Sequence, residues 1–343
     1  MSATQVVLQT ARASPLLEGK TLPLLVEAAA EIGAAAWAAS HKDRIDTMLA
    51  RHAAVLFRDF ELHSLQDFEG FASSMERELF GEYGDLPKKA GGSKTYESTP
   101  YPKDKMILFH NESSHLDRWP RKQFFFCEVP SSTGGATPIV DCREVLKCLP
   151  EGLVGQLESK GLLYVRTFIK RLDVSWREFY KTEDKSEVES RLRRAGTQWR
   201  WLDNDGLQTR ARAHAIIRHP TTGERVFFNQ VQLHHPSSLD PDLREDLLML
   251  VGENQMPRNV YYGDGSKISD SDMAMIGRTY EECAVRFNWQ QGDVLMLDNM
   301  LAAHARDPYE GPRRIVVAMG DMYERSSLSA RGDSATGATR ASA

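Results

Sequence analysis

Apolar positions recur along this chain with two different periods. Residues 22–40 and 42–52 repeat them at helical spacing, which predicts two helices near the start. The run Ala54-Val55-Leu56-Phe57, closed by Arg58-Asp59, predicts a short buried strand. Ser64 stands three residues before Asp67 and opens a stripe of Leu65, Phe68, Phe71, Ala72 and Met75, the pattern of a capped amphipathic helix. Residues 106–109, 123–129 and 137–140 predict further strands, the second of them aromatic (Phe124, Phe125, Phe126), with a turn at 130–135 and a helix opening in 141–149. Pro220-Thr221-Thr222-Gly223 between the apolar runs 215–218 and 225–228 is a hairpin signature. Asp240-Pro241 puts a cap and a proline where a helix starts, with Leu243, Leu247, Leu250 and Val251 as its stripe, and another helix is expected over 269–284. Residues 293–297 and 313–319 predict two buried strands around an irregular loop at 298–312.

Many short strands with helices at both ends favour a β-sandwich or barrel decorated by helices over a βαβ repeat. The organisation expected is a partly ordered N-terminus over 1–20, a single domain over 21–324, and a disordered tail over 325–343 that lacks large apolar residues. Within the domain, 81–105 is rich in Gly, Lys, Ser and Pro and predicts a loop over one end of the fold. Residues 170–210 are strongly charged, interleave Trp176, Trp199 and Trp201, and predict a helical insertion.

Composition narrows the function classes. A formal charge of -5 over 343 residues gives no global attraction to nucleic acid or anionic lipid. The four cysteines, Cys127, Cys142, Cys148 and Cys283, form no CxxC and read as reduced and mostly packed, which fits the cytoplasm. Residues 1–14 lack the order of a signal peptide, and Glu27 and Glu31 make the apolar stretch 22–39 a poor membrane span.

The chemistry concentrates in His110-Asn111-Glu112. On an extended segment His110 and Glu112 project to one side, so one short stretch supplies two metal ligands. Two imidazoles and a carboxylate are the donor set of non-haem iron(II) oxygenases, which leave three metal positions open. A lone His-x-Glu arises easily by chance. Here the apolar lead-in 106–109 buries the pair, and a metal would stabilise ionisable groups that are costly there. The third ligand must come from elsewhere. His304, among Ala302, Ala303 and Ala305, has room for a ligand, while His115, His234 and His235 compete for the role. Arg313 and Arg314 head a buried run and point to opposite faces, so at most one reaches inward, where it needs an anion. A dicarboxylate co-substrate would supply one.

At this point the chain resembles the taurine dioxygenase/clavaminate synthase-like family of iron(II)- and 2-oxoglutarate-dependent oxygenases. The matching stretches are FHNESSHLDRWPRKQFFFCEVPSSTGGATPIVD (109–141), RVFFNQ (225–230), YYGDG (261–265) and WQQGDVLMLDNMLAAHARDPYEGPRRIVVAM (289–319). The resemblance implies a mixed β/α fold, a double-stranded β-helix (jelly roll) with helical insertions and flanking helices. It implies iron(II) on His110, Glu112 and His304, with 2-oxoglutarate and dioxygen as co-substrates. Thr137 and Arg313 would bind the 2-oxoglutarate carboxylate, with Arg314 as the alternative one register away. The closest subgroup hydroxylates amino acids, free or tethered to a peptidyl carrier protein in secondary metabolism. Related halogenases replace the carboxylate ligand by a small residue, so Glu112 argues against halogenation and leaves hydroxylation, desaturation or ring formation open. Arg118, Arg306 and the 170–212 cluster are candidates for a substrate carboxylate, and Asn229 and Gln232 for amide contacts. The 81–100 and 170–210 segments are candidates for a lid. A zinc hydrolase with the same three ligands leaves Arg313 and Thr137 idle. A non-catalytic jelly-roll binding protein leaves the intact ligand set without a purpose.

Overall fold

Alternation along one aromatic strand explains how the fold is layered. In Arg118–Val129, Phe124 and Phe126 turn to one face and Phe125 to the other, as period two requires. Phe126 stacks on Phe68 and Phe71 meets Phe124 edge-on, so the even positions pack against the helix Leu65–Met75. Phe125 instead meets His304 at 5.0 Å between ring centroids. One face therefore builds the hydrophobic core, and the other faces a second sheet.

The computed structural model describes residues 6–8, 10–80, 95–97, 101–170, 172–203 and 205–328. They fall into two compact units: one takes in the residues up to Glu112, Pro120–Lys147 and Thr279–Met322, and the other Ser113–Trp119, Cys148–Arg278 and the residues from Tyr323.

In the first unit, an eight-stranded sheet runs in the order Val6–Leu8, Ala11–Pro15, Leu24–Ala28, Ala54–Arg58, Val294–Asp298, Arg118–Val129, Arg314–Glu324 and Tyr96–Glu97. Leu24–Ala28 and Ala54–Arg58 pair in parallel because the helix Ala34–His52 carries the chain back between them. The second sheet holds Ile107–His110, Ala302–Arg306 and Ile139–Asp141, and faces the first through Phe125 and His304. A buried cluster including Trp37, Phe57, Phe68, Phe71, Phe124, Phe126 and Met296 joins the large sheet to its two helices. The second unit contains an antiparallel sheet of Gln198–Trp201, Leu207–Ala213, Leu162–Phe168 and Arg258–Tyr262, and the expected hairpin Ile216–Arg218/Arg225–Phe227.

Several expectations change. Residues 22–40 are not one helix: Leu24–Ala28 is a strand, and one continuous helix covers Ala34–His52. The alanines suit either structure, and burial of Leu24, Leu25 and Val26 beside Ala54–Arg58 decides for the sheet. Strands Val6–Leu8 and Ala11–Pro15 lie within the N-terminal stretch 1–20, for which no strand is predicted above. His304 sits on a strand, Ala302–Arg306, instead of an irregular loop. Residues 170–210 are helical only in part, with Trp176–Tyr180 and Lys185–Arg194 followed by the strand Gln198–Trp201. The helix Pro241–Val251 forms as expected, yet its stripe stays out of the core: Leu243 and Leu250 are exposed. Residues 325–328 of the expected tail are among the described residues, and Arg325 there donates to the carbonyls of Arg212, His115 and Leu116. The rest of the expected tail, 329–343, and most of the 81–100 lid candidate lie outside the described residues. No described helix is long and apolar enough to cross a membrane.

Candidate metal centre and co-substrate pocket

Strand register brings the two histidines together. His110 ends Ile107–His110 and pairs directly with His304 on Ala302–Arg306, which sets their rings 4.3 Å apart between centroids. The Nδ1–H of His110 donates to the Leu108 carbonyl at 2.8 Å. A carbonyl only accepts, so the Nε2 lone pair of His110 remains available. Burial, with His110 beside it, pushes the His304 imidazole well below its usual pKa, which keeps that ring neutral and a competent donor. The Nδ1 of His304 is buried and has no hydrogen-bond partner among the described residues.

Glu112 reaches the same point from a turn, since the strand ends at His110. Asn299 holds that turn. Its Oδ1 accepts from the Glu112 backbone N–H at 2.6 Å, and its Nδ2 donates to the carbonyls of Glu112 and Pro120 at 2.9 and 2.8 Å. Asn111 turns the other way, and its Nδ2 donates to the Asn299 and Ala302 carbonyls. One ligand atom each from His110, Glu112 and His304 lies within 4.8 Å of the others, a span one metal ion bridges. The donor set suits iron(II) with open positions.

The remaining lining comes from Gln123, Phe125, Thr137, Ala305, Arg306, Arg313, Ile107, Ile315, Val317 and Met319. Thr137 is buried, and its Oγ1 accepts from Trp289 Nε1 at 3.1 Å and from Arg313 Nη2 at 3.3 Å. A hydroxyl has two acceptor lone pairs and one hydrogen. With both lone pairs engaged, the Thr137 hydrogen is left to donate to a ligand.

Arg313 shares the pocket face with Ile315, Val317 and Met319, while Arg314 points away and pairs with Glu128. Among the described residues no carboxylate pairs with Arg313. Its Nε donates to the Gly135 carbonyl at 2.9 Å. Burial, reinforced by the nearby Arg306, lowers its pKa to about 10, the mark of a guanidinium that lacks its anion. Arg306, a candidate for a substrate carboxylate, is instead committed to the backbone: it donates to the carbonyls of Tyr101, Pro102 and Lys105. Arg118 is exposed, and Asn229 spends its amide on Ala215 and Val231. His115 and His234 form a ring cluster with Tyr164 in the second unit, and His235 bonds Ser237 and Ile268 there.

Gly135 explains the GGATP turn. Its φ is +71°, and a Cβ there would meet Ser131 Oγ at 2.3 Å and the Arg313 Cδ at 3.0 Å. Gly135→Ala should therefore displace Arg313 and weaken 2-oxoglutarate binding roughly tenfold, an effect of about 1.4 kcal/mol. Isothermal titration with the metal-loaded protein measures this, and an unchanged affinity would refute the packing argument.

The family model described as taurine catabolism dioxygenase TauD, TfdA family matches residues 18–319. The chain belongs to this family. It is an iron(II)- and 2-oxoglutarate-dependent oxygenase, with dioxygen as co-substrate. This TauD-type chain is 34% identical over 278 residues to the dapdiamide synthesis protein DdaC of Enterobacter agglomerans, covering 81% of this chain and 84% of that protein. It is 30% identical over 298 residues to a clavaminate synthase-like protein of Arabidopsis thaliana, covering 82% and 85%. The structure of PvcB from Pseudomonas aeruginosa matches with a TM-score of 0.55 at 13% identity, over 93% of this chain and 94% of that one. The likeness establishes the expected jelly-roll core with helical additions.

Sequence reasoning missed Gln123, which lines this TauD-type pocket, and Trp289 and Asn299, which bond Thr137 and the Glu112 backbone from outside the lining. Trp289 and Asn299 lie inside a stretch that carried the resemblance, yet their task depends on partners more than 150 positions away. Gln123 carried one readable signal, a polar residue on the same strand face as Phe125.

Proposed function

We propose that His110, Glu112 and His304 hold the iron, and that Thr137 and Arg313 grip the distal carboxylate of 2-oxoglutarate. The observation that carries this reading is Arg313: a buried cation without a carboxylate among the described residues, beside an unspent hydroxyl hydrogen, in the pocket of a His/Glu/His cluster. Iron with 2-oxoglutarate and dioxygen supplies an oxidant able to attack an unactivated C–H bond. The chain's own residues orient and shield. Leu108 fixes the His110 tautomer, Asn299 fixes the Glu112 backbone, and Phe125, Ile315, Val317 and Met319 give the pocket apolar walls that exclude water. With Glu112 as a ligand, the position that a halide would need would be taken, which argues against halogenation; hydroxylation is the outcome we assign, with desaturation and ring formation the alternatives that product analysis separates.

The substrate we assign is an amino acid or an amino-acid derivative, free or tethered to a peptidyl carrier protein, in secondary metabolism. The relative named for dapdiamide synthesis and PvcB, described as an oxygenase from an isonitrile synthetic pathway, support a biosynthetic setting. The free thiols of Cys127, Cys142, Cys148 and Cys283 suit the cytoplasm.

Adding iron(II) and then 2-oxoglutarate without oxygen tests the site. A weak visible charge-transfer band should appear, and His304→Ala should abolish it. A folded wild type without the band, or a variant that keeps it, refutes the assignment. Succinate formation across free and carrier-loaded amino acids then identifies the substrate.

A further inference from the structure

Gln123 is fully buried, and among the described residues neither its Nε2 nor its Oε1 has a hydrogen-bond partner. Buried amides are nearly always bonded, so one orphaned on both sides calls for an explanation. Its neighbour Lys122, on the opposite face of the strand, shows the ordinary arrangement: its ammonium reaches Asp46 at 2.8 Å. Gln123 turns inward instead, into the pocket of His110, Glu112 and His304.

Its place along the pocket says which ligand it meets. Ion pairs join Arg121 to Asp321 at 2.9 Å and Arg314 to Glu128, so Arg118–Val129 and Arg314–Glu324 run antiparallel. Gln123 lies two residues from Arg121, beside the Met319 end, while Arg313 lies at the other end. From Arg313 to Met319 the strand advances roughly 20 Å. The four carbon–carbon bonds of 2-oxoglutarate span only about 5–6 Å. The amide therefore stands away from the grip on the distal carboxylate. It lies toward Glu112, whose turn Asn299 ties to the carbonyl of Pro120 near the start of the same strand.

We propose that Gln123 is a specificity residue for a substrate that carries a carboxamide or a secondary amide. Its Nε2 donates one hydrogen bond to that group and its Oε1 accepts another. A carboxylate would satisfy the Nε2 and leave the Oε1 facing a negative charge. An ammonium would satisfy the Oε1 alone. An amide satisfies both, and a site built to pair both sides rejects ligands that leave one buried and unpaired. The inference rests on the pocket being the oxygenase site.

The test compares wild type, Gln123→Leu and Gln123→Met, each loaded with iron(II) and 2-oxoglutarate without oxygen. Probes are added in matched pairs: asparagine with aspartate, glutamine with glutamate, and N-acetylalaninamide with N-acetylalanine. Their affinities are read from the change in the charge-transfer band, and thermal unfolding of each metal-free protein is recorded alongside. Wild type should bind at least one amide about tenfold tighter than its acid, and both variants should discriminate less than about twofold. Affinity for 2-oxoglutarate should stay within about twofold. The variants should melt about 2–4 °C higher, because an apolar side chain removes the unpaired amide. A structural role with hidden partners would lower the melting temperature. Retained discrimination in both variants, no amide preference in wild type, or lower melting overturns the inference alone if the band forms. Absence of the band in wild type overturns the site reading, and the inference with it.

Discussion

Glu112→Ala should reduce substrate-dependent succinate formation by more than about 100-fold while leaving the fold intact. Loss of a residue that merely supports a metal ligand lowers affinity or activity about 10–100-fold, and loss of a ligand itself exceeds that. The fold should survive because Glu112 sits on a turn whose geometry comes from its backbone. Asn299 bonds the N–H and the carbonyl of Glu112, and the substitution keeps both. Iron(II) binding should weaken in parallel, and circular dichroism and the melting curve should match wild type. Turnover close to wild type would remove Glu112 from the ligand set. His304→Ala should be equally severe in activity, but it also empties volume beside Phe125 and His110, so its effect on stability should be larger.

Arg313→Leu should raise the apparent dissociation constant for 2-oxoglutarate by roughly 100–1000-fold, corresponding to about 3–4 kcal/mol for removing one partner of a buried charge pair. The sign follows from the pKa. Burial has already lowered that of Arg313 to about 10, so the free protein bears the penalty of an unneutralised cation. A bound carboxylate relieves the penalty and shifts the pKa back up, and this coupling is the binding energy lost in the variant. Arg314→Leu is the control. Its side chain is 42% exposed and its guanidinium is engaged with Glu128, so 2-oxoglutarate affinity should change less than about threefold. Titration of both variants under anaerobic conditions decides the matter. A large effect confined to Arg314→Leu would reverse the assignment.

The choice between these arginines shows where sequence reading stops. Adjacent strand residues face opposite ways, so the sequence already allowed only one inward arginine. The run after them, Ile315 to Met319, is apolar at every position, and alternation within it names no face. The strand is covered on both sides, by core residues at Val316 and Ala318 and by the pocket at Ile315, Val317 and Met319. Only that difference in surroundings tells the two arginines apart. The capped helix at Leu65–Met75 was legible for the opposite reason: Ser64 and Asp67 bond each other's backbone, an interaction contained in four residues.

His110, Glu112, His304, Thr137 and Arg313 could be named from the chain because each lies in a short stretch with a recognisable order of neighbours. The sequence by itself determined these candidate donors, their order along the chain and the family they resemble. Tertiary structure decided which histidine joins His110, since His304 is selected over His115, His234 and His235 by a pairing across 194 positions. It decided that Leu24–Ala28 is a strand, that Glu112 approaches from a turn, and that Gln123 enters the pocket of His110, Glu112 and His304 with an amide that has no partner among the described residues. The physical reason is common to all of these. Periodicity reports whether a side chain is buried, whereas a hydrogen-bond partner or a shared metal depends on sheet register between segments far apart in the chain.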